Sequence, residues 1–177
     1  MISRCTLYTK RKEHRCAAVA ALALFACLAL SPPAARADAL ARANAAYARG
    51  DFIGAVNTLT PLALRGNARA QAFLGFMYEN GHGAPQAYAE AAELYLHAAI
   101  HGNPFGQALL GLMYDKGHGV PEDFVLAYKW LNLAAARAPR HARDYFLRLR
   151  NAVASKMSST QIAEGQRLAA LWTAGRQ

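Results

Sequence analysis

Cysteine is scarce in this chain, and its absence from most of the sequence limits what the protein can do. The three cysteines, Cys5, Cys16 and Cys27, all lie within the first 27 residues. Beyond Cys27 the chain therefore has neither a disulfide framework nor a thiol nucleophile. That part of the chain must fold and function by packing and polar contacts alone.

Long apolar runs are also scarce. The run at residues 17–30 has fourteen residues, fewer than the ~20 that a membrane-spanning helix needs. Five basic residues precede it, and Ala35-Arg36-Ala37 follows as an A-x-A cleavage site, which is the order typical of a secretory signal peptide. We predict that residues 1–37 are removed and that a mature chain starting at Asp38 is periplasmic or secreted, without membrane insertion. An uncleaved membrane anchor is the alternative.

Acidic residues are outnumbered, with 11 Asp and Glu against 20 Lys and Arg, a net charge of +9. Without residues 1–37 there remain 14 basic and 10 acidic residues, a net charge of +4, and residues 137–177 hold eight of those basic side chains. A basic end suggests an acidic partner, an envelope polymer or a protein, or else a solvated end-cap. No nucleic-acid motif accompanies it, so we expect no nucleic-acid partner.

Catalytic signatures are missing as well. The chain contains no Ser-x-x-Lys, Gly-x-Ser-x-Gly, His-Glu-x-x-His or phosphate-binding loop. We therefore expect a protein that is not an enzyme and carries no cofactor. A cell-envelope hydrolase with an unrecognised site is the alternative from a different class.

The sequence repeats itself at a period of 36 residues. Residues 71–78 (QAFLGFMY) recur as 107–114 (QALLGLMY), and 81–85 (GHGAP) recur as 117–121 (GHGVP). A period in this range indicates stacked supersecondary units, each unable to bury its apolar face alone. Repeat proteins of this kind present binding surfaces.

Each repeated unit is predicted to contain two helices. A buried stripe with helical spacing starts at Phe52, Tyr88 and Phe124 and ends in small residues, and it marks the second helix. Asp51 and Asp123 precede two of these helices as N-caps, whereas Ala87 takes that place in the middle unit.

The first helix of each full unit is shorter and carries a glycine in its middle. Gly75 and Gly111 each cost up to ~1 kcal/mol relative to alanine, which predicts a close helix contact at both. Glycine-rich loops then join the two helices, and we expect His82 and His118 in those loops to form local hydrogen bonds.

These residues resemble the Sel-1-like repeat, a relative of the tetratricopeptide repeat. Residues 70–102 and 106–138 carry the pattern, with Trp130 at the tryptophan position of the second helix. The resemblance implies an all-α fold, a right-handed α/α superhelix of about four antiparallel helix pairs. It also implies a non-catalytic scaffold that acts as an adaptor or regulator and holds a protein or peptide in its concave groove. The expected segments are a signal peptide (1–37), a tetratricopeptide-like pair (38–69), two repeats (70–105 and 106–141) and capping helices (142–177).

One constellation suits a metal ion. Glu93, His97 and His101 stand at i, i+4 and i+8, and two neutral imidazoles at that spacing bind divalent transition metals. Helical periodicity places all three toward solvent, and the next repeat has Lys129, Leu133 and Arg137 instead. We predict no metal site, and weak metal binding through the two histidines is the alternative.

Four apolar residues are candidates for the binding groove: Phe73, Phe76, Leu109 and Leu112. In superhelical repeats the first helices line the concave side, and related repeats often carry a polar residue at the positions of Phe73 and Leu109. Exposed apolar residues along a groove mark interaction surfaces. The alternative is that all four complete the packing between adjacent units.

Overall fold

The computed structural model describes residues 33–175, with side chains from residue 38 onward. Eight helices and no strand occupy that part of the chain, so the predicted all-α class is confirmed. In chain order they are α1 (Pro33–Ala48), α2 (Phe52–Leu64), α3 (Ala68–Asn80), α4 (Tyr88–Ile100), α5 (Pro104–Lys116), α6 (Phe124–Arg137), α7 (Arg140–Ala154) and α8 (Ser159–Ala174). The predicted signal peptide falls largely on residues 1–32, which lie outside the described residues.

The chain divides between Asp38 and Ala39 into two units, and the helices pack within the second. From α2 to α7 each helix contacts the next one along the chain, and α3 also contacts α5. The first helices of the two repeats therefore lie side by side, while α4 and α6 are their second helices. α3 and α5 begin at Ala68 and Pro104, two residues before the predicted units start.

The helix ends follow the predicted capping. The Asp51 and Asp123 side chains accept hydrogen bonds from the backbone N–H of Gly54 and Leu126, each at 2.9 Å. Ala87 offers no side-chain cap to α4. Such caps satisfy backbone N–H groups that the first turn of a helix leaves without partners.

The mid-helix glycines lie where the second helix of the same repeat presses closest. A Cβ on Gly75 would lie 2.8 Å from Cε1 of Tyr95, and one on Gly111 would lie 2.9 Å from Cγ of Leu131. Both neighbours are fully buried. The predicted close contact at these glycines is confirmed.

The histidine side chains of the Gly-His-Gly loops contact the preceding unit, in addition to the local hydrogen bonds of the loop backbone. Nδ1 of His82 lies 3.2 Å from the Tyr47 hydroxyl, 35 residues away, and the imidazole stacks on Phe52 at 4.6 Å between ring centroids. His118 lies 4.7 Å from the Tyr88 ring in the same way. The expected local hydrogen bonds are formed by the backbone N–H groups of His82 and His118, which donate to the carbonyls of Met77 and Met113 at 2.8 and 3.1 Å. The His82 side chain instead packs on the start of the preceding unit's second helix.

The last helix departs from the paired arrangement. α8 packs mainly against α6, with Gly165 beside the Tyr128 ring and Trp172 in edge contact with Trp130 at 5.1 Å. Its start carries the predicted capping box, in which Ser158 and Gln161 bond each other's backbone N–H. α8 therefore closes the apolar side of α6 instead of forming a fourth repeat-like pair with α7.

Candidate apolar groove

A groove of about 1180 Å³ runs across α1, α3, α5 and α7. We call it the apolar groove, because carbon-rich side chains from three of those helices form most of its wall. These are Phe73 and Phe76 from α3, Phe105, Leu109 and Leu112 from α5, and Tyr145, Phe146 and Leu149 from α7.

The four residues predicted to bind a partner all lie on this wall, and all are half-buried. The rings of Phe73 and Phe76 lie 5.4 and 6.1 Å from that of Tyr47 on α1. Phe73 and Leu109 also pack against buried clusters beneath the groove. These side chains therefore pack between adjacent units, as the alternative interpretation predicts, and they also line the groove. Partner binding by the four stays a prediction.

Sequence reasoning missed two large apolar side chains of the wall that are more exposed than the four predicted ones. Phe105 is 47% exposed and Tyr145 is 51% exposed, although both are large apolar side chains. Their rings lie 5.5 and 5.9 Å from that of Phe146, which is buried between them. We call Phe105, Tyr145 and Phe146 the aromatic cluster.

The repeat period could have revealed these residues. Adding 36 to Phe73 gives Leu109, and adding 36 again gives Tyr145. Positions 69, 105 and 141 form a second row with the same offset, and all six positions line the groove. The wall thus continues from the repeats into α7, which the sequence analysis treated only as a cap.

Cationic and amide groups complete the wall. Arg69, Arg137 and His141 line it together with Asn44 and Asn103, and no Asp or Glu side chain is among the described residues that do so. Both arginines and His141 are exposed. A concave apolar surface edged by one sign of charge concentrates its field in the concavity.

The histidines considered for metal binding lie on the other side of this architecture, on α4 and just after it. Glu93, His97 and His101 are exposed, and Nδ1 of His101 lies 2.7 Å from the His97 carbonyl oxygen. That contact directs the His101 ring toward the backbone. Among the described side chains no group of three or more His, Cys, Asp and Glu is arranged to hold a metal ion.

Among the groups whose pKa values are perturbed, Tyr95 and Lys129 lie outside the groove wall. Burial raises the pKa of Tyr95, and the hydrogen bond from its hydroxyl to Glu79 at 2.7 Å adds to the shift. Burial lowers the pKa of Lys129, whose ammonium lies 4.5 and 4.7 Å from the ring centroids of Trp130 and Trp172. Both residues stabilise contacts between helices.

Both repeats match the model of a known protein family. The Sel1 repeat model matches residues 68–103 and 104–139, which are the helix pairs α3–α4 and α5–α6. The chain therefore contains two Sel1 repeats. Sel1-repeat proteins are generally protein-interaction scaffolds and are typically non-catalytic. Among curated proteins, none matches the chain.

Solved structures agree with the family. A protective antigen from uropathogenic Escherichia coli strains, displaying an SLR fold, superposes with a TM-score of 0.69 at 29% identity, over 78% of this chain and 30% of its own. A Sel1 repeat protein from Oxalobacter formigenes gives a TM-score of 0.55 at 29% identity, over 60% of this chain and 44% of its own. The chain thus has the predicted helical-repeat solenoid, and it spans less than half the length of either neighbour.

No helix between residues 33 and 175 combines the length and the apolar character needed to cross a bilayer.

Proposed function

We propose that this protein is an exported, non-catalytic scaffold that binds a partner polypeptide in the apolar groove and acts as an adaptor or regulator in the cell envelope. The observation that carries the proposal is the aromatic cluster, in which two large side chains stay about half exposed beside a buried third. Aromatic side chains at the centre of a concave surface are the groups that dominate protein interfaces.

The size of the groove supports a polypeptide rather than a small molecule. Its volume of about 1180 Å³ exceeds the ~300–1,000 Å³ typical of small-ligand sites. The wall also extends over four helices, so its residues are spread along a line instead of converging on one point. A segment of chain crossing those helices would contact all of them.

Location in the envelope is supported first by the sequence of residues 1–37. A basic start, an apolar run and an A-x-A site precede Ala39, the first buried residue among those that the structure describes. The absence of cysteine beyond residue 27 also fits a compartment in which free thiols are oxidised.

The test is capture of partners by photo-crosslinking from a periplasmic extract, with a groove variant compared against the wild type. Phe105→Asn combined with Leu112→Asn removes two apolar groups from the wall of α5. Because Phe105 is 47% exposed and Leu112 half-buried, we expect the variant to fold and to lose the captured polypeptide.

A matched control changes two apolar residues outside the groove. Leu64 is 83% exposed and Leu96 is 37% exposed, and neither lines the apolar groove. Leu64→Asn with Leu96→Asn should leave capture unchanged. If the groove variant folds and still captures the same polypeptide as wild type, the groove is not the binding site.

A further inference from the structure

We infer that the apolar groove selects polypeptide segments that are both acidic and apolar. Arg69, Arg137 and His141 bind the carboxylates of such a segment. The aromatic cluster contacts its apolar side chains. This inference rests on the proposed function and adds the chemistry of the partner to it. It concerns the composition of the segment that binds, which neither the family nor the fold specifies.

The charge of the groove wall is the first reason to expect an acidic partner. Three groups that can be cationic line the groove, and no carboxylate among the described residues lines it to neutralise them. The ion pairs Lys156–Asp115 and Arg167–Glu164 lie away from the groove wall. A basic or neutral segment would leave this positive edge uncompensated, whereas Asp and Glu side chains would pair with it. Arginine suits this role because its planar guanidinium binds a carboxylate through two parallel hydrogen bonds.

The positions of the charged and apolar side chains are the second reason, because they favour a segment of mixed composition. Arg69 belongs to the same row as Phe105 and His141, at successive 36-residue offsets. The neighbouring row holds Phe73, Leu109 and Tyr145. Adjacent packed helices lie ~8–10 Å apart. A bound segment therefore meets a cationic or aromatic group and an apolar group at each helix that it crosses, which favours mixed apolar and acidic sequences.

The openness of the groove favours a polypeptide over an anionic lipid, which has similar chemistry. Phe105 and Tyr145 keep about half their surfaces in water. An alkyl chain on such a surface would stay partly hydrated, at a cost in hydrophobic free energy. A peptide can turn polar backbone groups toward water and toward the amides of Asn44 and Asn103.

The experiment is selection of displayed random dodecapeptides on three forms of the chain from residue 38 onward. These are wild type, the groove variant Phe105→Asn with Leu112→Asn, and a charge-reversed variant, Arg69→Glu with Arg137→Glu. On wild type we expect enriched peptides with net negative charge and at least two apolar side chains. The groove variant should not retain them. The charge-reversed variant should bind the same synthetic peptides about tenfold more weakly and should enrich basic peptides instead.

Two measurements sharpen the outcome. Affinity of wild type for an enriched peptide should fall as salt is raised, because exposed ion pairs are screened. Arg140→Glu with Arg143→Glu is the matched control, since it reverses the same number of charges on two exposed arginines of α7 that do not line the apolar groove. It should weaken binding far less than the reversal of Arg69 and Arg137. Equal losses would show that the net charge of the chain acts, not the groove, and would overturn the inference.

Failure of the inference differs from failure of the proposed function. Neutral or basic peptides that wild type retains and the groove variant loses would overturn the acidic selectivity and leave groove binding intact. Enriched peptides that the groove variant still binds, or no enrichment at all, would contradict both. Oleate binding that depends on Arg69 and Arg137, without peptide enrichment, would replace the polypeptide with a lipid.

Discussion

At the scale of single residues, the contact between the two helices of each repeat depends on a missing side chain. Gly75 and Gly111 give up helical propensity so that Tyr95 and Leu131 can pack directly on the backbone of α3 and α5. Backbone carbonyls lie close as well, with the Ala91 oxygen 3.2 Å from the site of a Cβ on Gly75. A rigid carbonyl and a buried ring leave little room for adjustment.

Gly75→Ala should therefore lower the free energy of unfolding by about 1–3 kcal/mol, since overpacking outweighs the gain in propensity of up to ~1 kcal/mol. Urea denaturation measures the change. Gly111→Ala, at the equivalent site, should behave alike. A stabilised Gly75→Ala protein would show that the neighbouring helix moves away freely.

Tyr95 shows how a polar group is kept inside the repeat. Its ring is fully buried, and its hydroxyl donates to Glu79 at the end of α3. Burial and this hydrogen bond both favour the neutral phenol, so the pKa of Tyr95 lies above its ordinary value of about 10. The folded chain therefore keeps a proton that the unfolded chain releases in alkaline solution.

This linkage sets a pH dependence. Above pH ~10 the unfolded state loses the Tyr95 proton while the folded state retains it, so this contribution to stability is complete below pH ~10 and falls as pH rises. Tyr95→Phe should cost roughly 1–3 kcal/mol at neutral pH by removing the hydrogen bond to a carboxylate. The difference in unfolding free energy between wild type and variant should shrink above pH ~10, because other titrating groups are common to both. A constant difference across that range would contradict the shifted pKa.

At the scale of helices, the middle repeat lacks one feature that its neighbours have. Ala87 has the extended backbone of an N-cap but no side chain that can accept a hydrogen bond, whereas Asp51 and Asp123 do accept one. The first turn of α4 therefore has fewer satisfied N–H groups than those of α2 and α6.

Ala87→Asp should stabilise the protein by about 1 kcal/mol, and Asp123→Ala should destabilise it by a similar amount. Thermal unfolding of the two single variants measures both changes, and each serves as the other's control. No gain from Ala87→Asp would mean that the new carboxylate does not reach the first turn of α4.

Much of the helical architecture could be predicted from the repeat. The 36-residue offset fixed the stripes of the second helices, the aspartate caps and the close contacts at Gly75 and Gly111, because each depends on residues near one another in sequence or at equal offsets. The partner of His82 could not be predicted, since Tyr47 belongs to a unit whose connecting loop is shorter. The aromatic cluster was missed because α7 places side chains on the wall at the 36-residue offset but lacks the sequence motif of the two repeats.

At the scale of the whole molecule, the basic C-terminal part of the chain lies partly on the groove wall. Residues 38–136 hold six basic and eight acidic side chains, and residues 137–177 hold eight basic side chains against Asp144 and Glu164. Arg137, the first of these basic side chains, lies on the groove wall, and so does His141. Others, such as Arg140 and Arg143, are exposed and do not line it. The basic end thus includes solvated charge and part of the groove wall.

The start of the solenoid bears on export. α1 begins at Pro33, so cleavage after Ala37 would remove its first turn and leave Asp38 near the new helix start. A carboxylate there is favourable, because the N-terminal end of a helix carries partial positive charge. Ala39 and Ala43, the first buried residues among the described side chains, follow the cleavage site. Removing residues 1–37 therefore leaves every described buried side chain of α1 in place.

We accordingly predict that expression in a Gram-negative host yields a periplasmic form that begins at Asp38. Intact mass of that form, with N-terminal sequencing, measures where cleavage occurs. Ala37→Tyr is the control, because a bulky side chain at the cleavage site should block processing and leave a membrane-associated precursor. If the wild-type protein is itself found only in membranes and still carries residues 1–37, the apolar run serves as an anchor, and the groove would then act at the membrane surface.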